Sequence, residues 1–170
     1  MRTDSRSLSL VTVFGLGHLR PFPGTWGSLP TVFFAAALIL AGVGPDRHPW
    51  LFNLALGAVL LFFTLSCAIL GDLAEAKFLK KDPSQVVADE TAGQALPLLF
   101  LPAAAVHSPS AAACTLIGAF LAFRLLDILK PYPAYQIQAA PGGWGLVLDD
   151  LVAGAYAAVL VQIGTRVLLH

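Results

Sequence analysis

The sequence has unusually little charge. Charged residues make up 12% of its 170 residues and hydrophobic residues 57%, whereas soluble domains carry about 25% charged residues. So little charge cannot cover the surface of a soluble globule, and the high apolar content excludes intrinsic disorder. The composition therefore predicts a membrane protein, folded as a single domain over residues 1–170.

The lack of net charge and the small number of cysteines exclude further classes of protein. The formal net charge is +0, so the chain lacks the basic surface of a nucleic-acid-binding protein, and we expect no nucleic-acid partner. The only cysteines, Cys67 and Cys114, each lie inside an apolar run. Two cysteines are too few for a disulfide framework, and their separation is not that of metal ligands.

Continuous apolar runs predict an all-α, polytopic membrane bundle with about five hydrophobic segments. A crossing helix needs about 20 residues. The second, fourth and fifth segments reach that length, whereas the first and third have roughly 15 residues and are expected to be short or re-entrant. The segments cover about 29–43, 50–70, 92–106, 110–129 and 146–169.

The basic residues concentrate on one side of this predicted topology. The positive-inside rule places that side in the cytoplasm, with the N-terminus cytoplasmic and the C-terminus outside. Nearly every carboxylate falls on the same side, at the headgroup level or just below it. The basic residues that set the orientation are Arg2, Arg6, Arg20, Lys77, Lys80, Lys81 and Lys130.

Two acidic pairs lie at predicted helix starts, Asp89-Glu90 and Asp149-Asp150. Charges inside apolar segments are costly, so they need a reason such as pairing, a metal or a polar substrate. For Asp149-Asp150 the alternative is an acidic first turn that counters the helix dipole. Asp82 precedes Pro83, a pattern that predicts the N-cap of the helix leading to Asp89.

Arg124, Asp127 and Lys130 follow one another at intervals of three residues. They therefore lie close to one stripe of a helix. Arg124 and Asp127 could simply form an ion pair that makes both tolerable in lipid. The compatible functional interpretation is a guanidinium for phosphate, a carboxylate for a metal and a lysine at the headgroup level.

The stretch from Gly15 to Ser28 is rich in glycine and proline and leads into the first segment. Its hydroxyls on Thr25 and Ser28, with the free N–H groups of the following helix, suit an anion. A membrane-entry turn explains the stretch nearly as well. It is not a Walker loop, because the Lys-Ser/Thr ending is absent.

Four signatures of enzymes that transfer or hydrolyse phosphate are absent from the sequence. Cys67 has no arginine six residues later, and there is no Asp-x-Asp-x-Thr/Val motif. The histidine-nucleophile signature and the signature of alcohol phosphotransferases are also absent. Carboxylates that hold Mg²⁺ and activate water are the chemistry that remains.

Four blocks of the sequence resemble the phosphatidylglycerophosphatase A family of bacterial Mg²⁺-dependent membrane enzymes. The resemblance implies removal of the terminal phosphate from phosphatidylglycerophosphate, a phospholipid substrate in the bilayer, to give phosphatidylglycerol. It also implies the bacterial inner membrane, with the active site on the cytoplasmic face. The blocks are Pro23–Leu29, Asp82–Gly93, Phe123–Pro133 with its Arg-x-x-Asp-x-x-Lys-Pro pattern, and Gly142–Gly154 with Asp-Asp-x-x-Ala-Gly.

On this basis we expect one or two Mg²⁺ ions among converging carboxylates. The predicted metal ligands are Asp89, Glu90, Asp149, Asp150 and Asp127, and the predicted catalytic residues are Asp89, Glu90, Asp149 and Asp127. The predicted phosphate-binding residues are Arg124, Lys130, Arg20, Thr25 and Ser28.

Two other functions remain open from the residues alone. A small transporter or channel subunit would spread its carboxylates through the bilayer depth. A noncatalytic scaffold would explain Arg124 and Asp127 only by their pairing. The short first and third segments also leave room for a homo-oligomeric interface.

Overall fold

The computed structural model describes residues 8–138 and 140–168, and the secondary structure within these ranges is helical. Arg2 and Arg6, which the orientation prediction used, lie outside the described residues. Short 3-10 turns occupy Leu16–His18, Leu96–Leu98 and Ala103–Val106. The helices are α1 (Pro23–Leu40), α2 (Pro49–Phe78), α3 (Ala88–Gly93), α4 (Pro109–Leu129), α5 (Ala134–Ile137) and α6 (Gly143–Leu168).

Proline marks the start of three of the long helices. Pro23, Pro49 and Pro109 each occupy the first helical position, where a missing N–H costs nothing and the fixed φ suits the helix. At α4, Ser108 adds an N-cap, since its hydroxyl accepts a hydrogen bond from the Ala111 N–H at 3.2 Å. The boundaries of these helices are thus set by local chemistry.

Four of the described helices, α1, α2, α4 and α6, are long and apolar enough to cross a membrane. Large apolar side chains cover their outer surfaces; Phe33, Leu61 and Ile117 are 66%, 60% and 58% exposed. The predicted polytopic helical bundle is confirmed. The first segment is longer than predicted, because its helix begins at Pro23 rather than near Leu29 and reaches 18 residues.

The third apolar segment crosses the bundle without forming a continuous helix. It begins with α3 and continues through 3-10 turns that contain or follow Pro97 and Pro102. It does not turn back, because His107 lines a cavity together with Leu40 and Arg47 at the opposite end of the bundle. The prediction of a short segment holds, and the re-entrant alternative does not.

Side chains from neighbouring helices satisfy the freed backbone groups of this broken segment. The Asn53 amide oxygen accepts from the Phe100 N–H at 2.7 Å, and Gln162 donates to the carbonyl oxygens of Leu99 and Phe100 at 2.9 Å. The Thr115 hydroxyl donates to the Ala105 carbonyl at 2.9 Å. Irregular backbone is tolerated at membrane depth only with such internal partners.

Glycines bring α3 directly against its neighbours. A Cβ on Gly93 would lie 2.7 Å from both the Asp150 carbonyl oxygen and the Phe123 ring, and Gly154 faces the Gly93 carbonyl just as closely. On the other side of α3, a Cβ on Gly27 would lie 2.6 Å from Val87 Cβ. Small residues let membrane helices approach this closely, and the approach fixes where the α3 carboxylates lie.

Candidate active site

Three carboxylates from distant parts of the chain meet at one end of the bundle. Oxygens of Asp89, Glu90 and Asp150 all lie within 4.8 Å of one another. Asp89 is 5% and Asp150 3% exposed, and Glu90 is half-buried. We call these three residues the carboxylate cluster. Its formation confirms that the Asp89-Glu90 pair converges with Asp150 of the second acidic pair.

The helix boundaries decide between the interpretations of the acidic pairs. Asp149 and Asp150 lie beyond the first turn of α6, which holds no acidic residue, so the helix-dipole alternative does not apply.

The predicted N-cap role of Asp82 is wrong, because α3 begins at Ala88. A turn closed by the Val86 N–H to Pro83 carbonyl hydrogen bond (2.8 Å) separates Asp82 from it. Asp82 instead accepts a hydrogen bond from the Gln138 amide at 2.9 Å.

The carboxylate cluster concentrates negative charge where little water reaches it. Asp150 and Asp127 lie close enough to Glu90 to repel its charge, and Arg124 offsets part of that repulsion. Asp89 faces the like charge of the neighbouring Glu90. A bound divalent cation would stabilise the ionised forms of both groups.

Several polar atoms of the cluster and its surroundings lack partners. Among the described residues, Glu90 Oε2, Asp149 Oδ1 and Asp150 Oδ2 are buried and accept no hydrogen bond. Leaving such atoms unsatisfied costs about 1–3 kcal/mol each. Oxygen-only donors of this kind are the ligands that Mg²⁺ prefers, so the residues present fit a magnesium ion.

An arginine lies against the cluster. Arg124 Nη1 donates to Asp127 Oδ2 at 2.5 Å, which confirms the ion pair expected from their spacing, and Asp127 is 8% exposed. A Cβ on Gly24 would lie 2.8 Å from Arg124 Nη2 and would also collide with Glu90 Oε1. The guanidinium therefore lies between α4 and the start of α1, beside Glu90.

A lysine occupies the other side of the site. Lys130 Nζ donates to Asp149 Oδ2, and Asp149 is 3% exposed. Burial alone would lower the pKa of Lys130, but the hydrogen bond to Asp149 and the nearby carboxylates raise it above its usual value. Lys130 ends α4 in the left-handed region, with φ +44°, where glycine is usual and another residue costs about 1 kcal/mol.

Asp149 and Asp127 border the carboxylate cluster but are not part of the group of three. Asp149 uses one carboxylate oxygen for Lys130 and keeps Oδ1 without a partner. Asp127 forms an ion pair with Arg124 and lies near Asp150. Each residue thus joins a cation to the acidic centre.

The predicted N-terminal phosphate ligands differ in their surroundings. Ser28 is fully buried, and its hydroxyl donates to the Gly24 carbonyl at 2.9 Å. Thr25 is half-buried near the start of α1, and Arg20 is exposed in the preceding loop. Their role in phosphate binding stays a prediction.

Three features of the site were not predicted. Gln94 is 0% exposed, lies one turn after Glu90, and has no partner among the described residues for either amide atom. The sequence feature that could have identified Gln94 is that it is a polar residue inside an apolar segment. Gly24 leaves the space that Arg124 and Glu90 occupy, and Gln138 fixes Asp82. The last two have no local signal, because each depends on a residue distant in sequence.

The fold and the site together define a polytopic helical membrane protein with a buried acidic centre flanked by cations. Residues 9–165 match the family model of phosphatidylglycerophosphatase A. The chain belongs to this family, as its sequence motifs predicted.

Individual relatives support the same assignment. The chain is 34% identical to phosphatidylglycerophosphatase A of Haemophilus influenzae over 158 residues, 89% of this chain and 84% of the relative. It is 30% identical to the Escherichia coli protein of that name over 158 residues, 91% of this chain and 81% of the relative. Over 88 residues, 52% of each chain, it is 36% identical to a Bacteroides thetaiotaomicron protein named as a candidate phosphatidylinositol-3-phosphatase. No solved structure matches the chain. These findings support a membrane phosphatase that acts on a phospholipid.

Proposed function

We propose that the protein hydrolyses the terminal phosphomonoester of phosphatidylglycerophosphate to phosphatidylglycerol and phosphate, with Mg²⁺, in bacterial phospholipid biosynthesis. The observation that carries the proposal is the convergence of Asp89, Glu90 and Asp150 within 4.8 Å beside Arg124. The family assignment supplies the substrate.

Asp89, Glu90 and Asp150 would hold the metal, and the free Oδ1 of Asp149 is a further ligand. When bound, Mg²⁺ lowers the pKa of a coordinated water and offsets charge on the phosphoryl oxygens. Arg124 and Lys130 bind the phosphate oxygens, because a guanidinium and an ammonium are the usual phosphate donors. Asp127 and Asp149 act as positioning residues for these two cations.

The membrane determines how the lipid substrate reaches the site. Exposed apolar side chains on the long helices face the acyl chains, so the lipid stays in the bilayer and only its headgroup enters the site. Lys77 lies in the last turn of α2, and Lys80 and Lys81 follow directly after that helix, at the end that carries the site. By the positive-inside rule, this end faces the cytoplasm of the bacterial inner membrane. A homo-oligomer stays a prediction.

The transporter or channel alternative predicts carboxylates distributed through the membrane depth. Among the described residues, Asp46 is the one carboxylate at the opposite end of the bundle, and it pairs with Arg47 at 3.7 Å. The remaining described carboxylates lie at or near the site end. A phosphatase accounts better for this one-sided arrangement.

The proposal is tested with the purified protein in an uncharged detergent. We expect phosphate release from phosphatidylglycerophosphate, loss of that release when EDTA removes divalent cations, and recovery when Mg²⁺ is returned. Full activity in EDTA would reject the metal. Absence of phosphate release from this lipid with Mg²⁺ present would reject the substrate.

A further inference from the structure

A cavity lined by polar side chains lies at the same end of the bundle as the carboxylate cluster. It has a volume of about 460 Å³ and lies between the end of α2 and α5. Neither the metal nor the phosphate ligands proposed above line it. Its lining residues are Lys80, Lys81, Asp82, Tyr135 and Gln138.

The charge of this cavity favours an anion. Lys80 and Lys81 are exposed, and neither has a carboxylate within ion-pairing distance among the described residues. Asp82, the one acid of the lining, accepts a hydrogen bond from the Gln138 amide at 2.9 Å and keeps its charge, so two lysines against one aspartate leave the lining net positive. The cavity thus offers two unpaired ammonium groups and the phenol of Tyr135, which suit a phosphate group.

The cavity is close to the carboxylate cluster. The carbonyl oxygen of Gln138 lies 2.9 Å from the position of a Cβ on Gly145 in α6. Asp149 is one helical turn further along α6, about 6 Å at 1.5 Å per residue. Asp82 lines the cavity and also lies near enough to Asp89 and Asp149 to interact with their charges. The cavity therefore borders the part of α6 that leads to Asp149 and the carboxylate cluster.

The surroundings of the cavity fit the membrane surface. Leu79, directly before Lys80, is 92% exposed, and Tyr132 and Tyr135 are 78% and 69% exposed. Tyrosines and lysines with apolar neighbours are typical of the headgroup level. A lipid phosphate lies at that depth when the acyl chains stay in the bilayer.

We propose that Lys80 and Lys81 bind the phosphodiester of the lipid substrate while its terminal phosphomonoester lies at the carboxylate cluster. This inference rests on the proposed function. Phosphatidylglycerophosphate carries both phosphates, joined by one glycerol unit, whereas phosphatidic acid carries the phosphomonoester alone. The lysine pair therefore determines selectivity between the two lipids.

The test compares the Lys80→Gln/Lys81→Gln double variant with wild type on both lipids in an uncharged detergent. For phosphatidylglycerophosphate we expect kcat/KM to fall about tenfold or more, mainly through KM, because charge-assisted hydrogen bonds are lost. For phosphatidic acid, measured as substrate or as competitive inhibitor, we expect no change. The Lys80→Arg/Lys81→Arg variant keeps the charge and should retain most of the selectivity.

Lys77→Gln is the matched control, since Lys77 is exposed in the last turn of α2 and does not line the cavity. An equal loss on both lipids, or the same loss in Lys77→Gln, would mean general attraction of anionic lipid and would overturn the inference. Unchanged kinetics in the double variant would overturn it as well. Failure of the proposed function would differ, because wild type would then release no phosphate from phosphatidylglycerophosphate.

Discussion

The two ends of the bundle both carry charged residues, but the exposure of those residues to solvent differs. At the site end, Asp89, Asp149 and Asp150 are 5%, 3% and 3% exposed. At the opposite end, Arg47 and Asp46 form an ion pair at 3.7 Å with side chains 72% and 37% exposed. A cavity of about 600 Å³ lies beside that pair. Burial of charge, rather than its presence or the size of a cavity, distinguishes the candidate active site.

The largest effect should come from the carboxylate cluster. We expect Asp150→Asn to lower kcat by at least about a hundredfold, because even residues that only support metal ligands cost 10–100-fold when changed. Asp46→Asn is the matched control at the opposite end and should keep wild-type activity. Phosphate release and Mg²⁺ affinity, measured on variants that remain folded in detergent, check the prediction. Equal activity of the two variants would remove the distinction between the two ends.

A smaller loss should follow from Gly24→Ala. The new methyl group would lie 2.8 Å from Arg124 Nη2 and displace the guanidinium from Glu90. Misplacement of a positioning group by about 1 Å can lower the rate about a hundredfold, so we expect a loss between tenfold and a hundredfold in kcat/KM.

Gly118→Ala is the control for that variant, since a Cβ on Gly118 meets nothing within 4 Å. It should leave kcat/KM unchanged. If Gly24→Ala behaved like Gly118→Ala in the phosphate-release assay, the contact between α1, Glu90 and Arg124 would have no part in the reaction.

The smallest effect is expected at the opposite end. Arg47→Gln removes an exposed ion pair, and such pairs contribute about 0–1 kcal/mol. The free energy of unfolding in detergent should change by no more than that amount, with activity unchanged. A large loss of activity would mean that the opposite end takes part in the function.

The pairing of Arg124 with Asp127 illustrates what local pattern can predict. Residues three apart on a helix are neighbours, so their spacing predicted the contact now found at 2.5 Å. Asp82 shows the limit of such patterns. The Asp-Pro sequence suits an N-cap, but the tertiary contact of the Val87 N–H with the Val11 carbonyl, at 2.9 Å, holds this part of the chain in a turn.

The sequence explains only part of how the interrupted third segment crosses the bundle. Pro97 and Pro102 predicted an interruption, since proline cannot continue a helix. The partners that let irregular backbone cross the bundle, Asn53 and Gln162, come from α2 and α6. No local pattern connects them to Phe100.

The sequence by itself determined that the chain lies in a membrane, that it forms long apolar helices and which residue types carry the chemistry, because hydropathy and helical spacing act locally. Only the tertiary structure decided which carboxylates meet. Asp89 and Glu90 reach Asp150 because Gly93 and Gly154 allow α3 to pack directly on α6. Such packing depends on the shapes of surfaces distant in sequence, and the free energy of close contact is gained only when both are present.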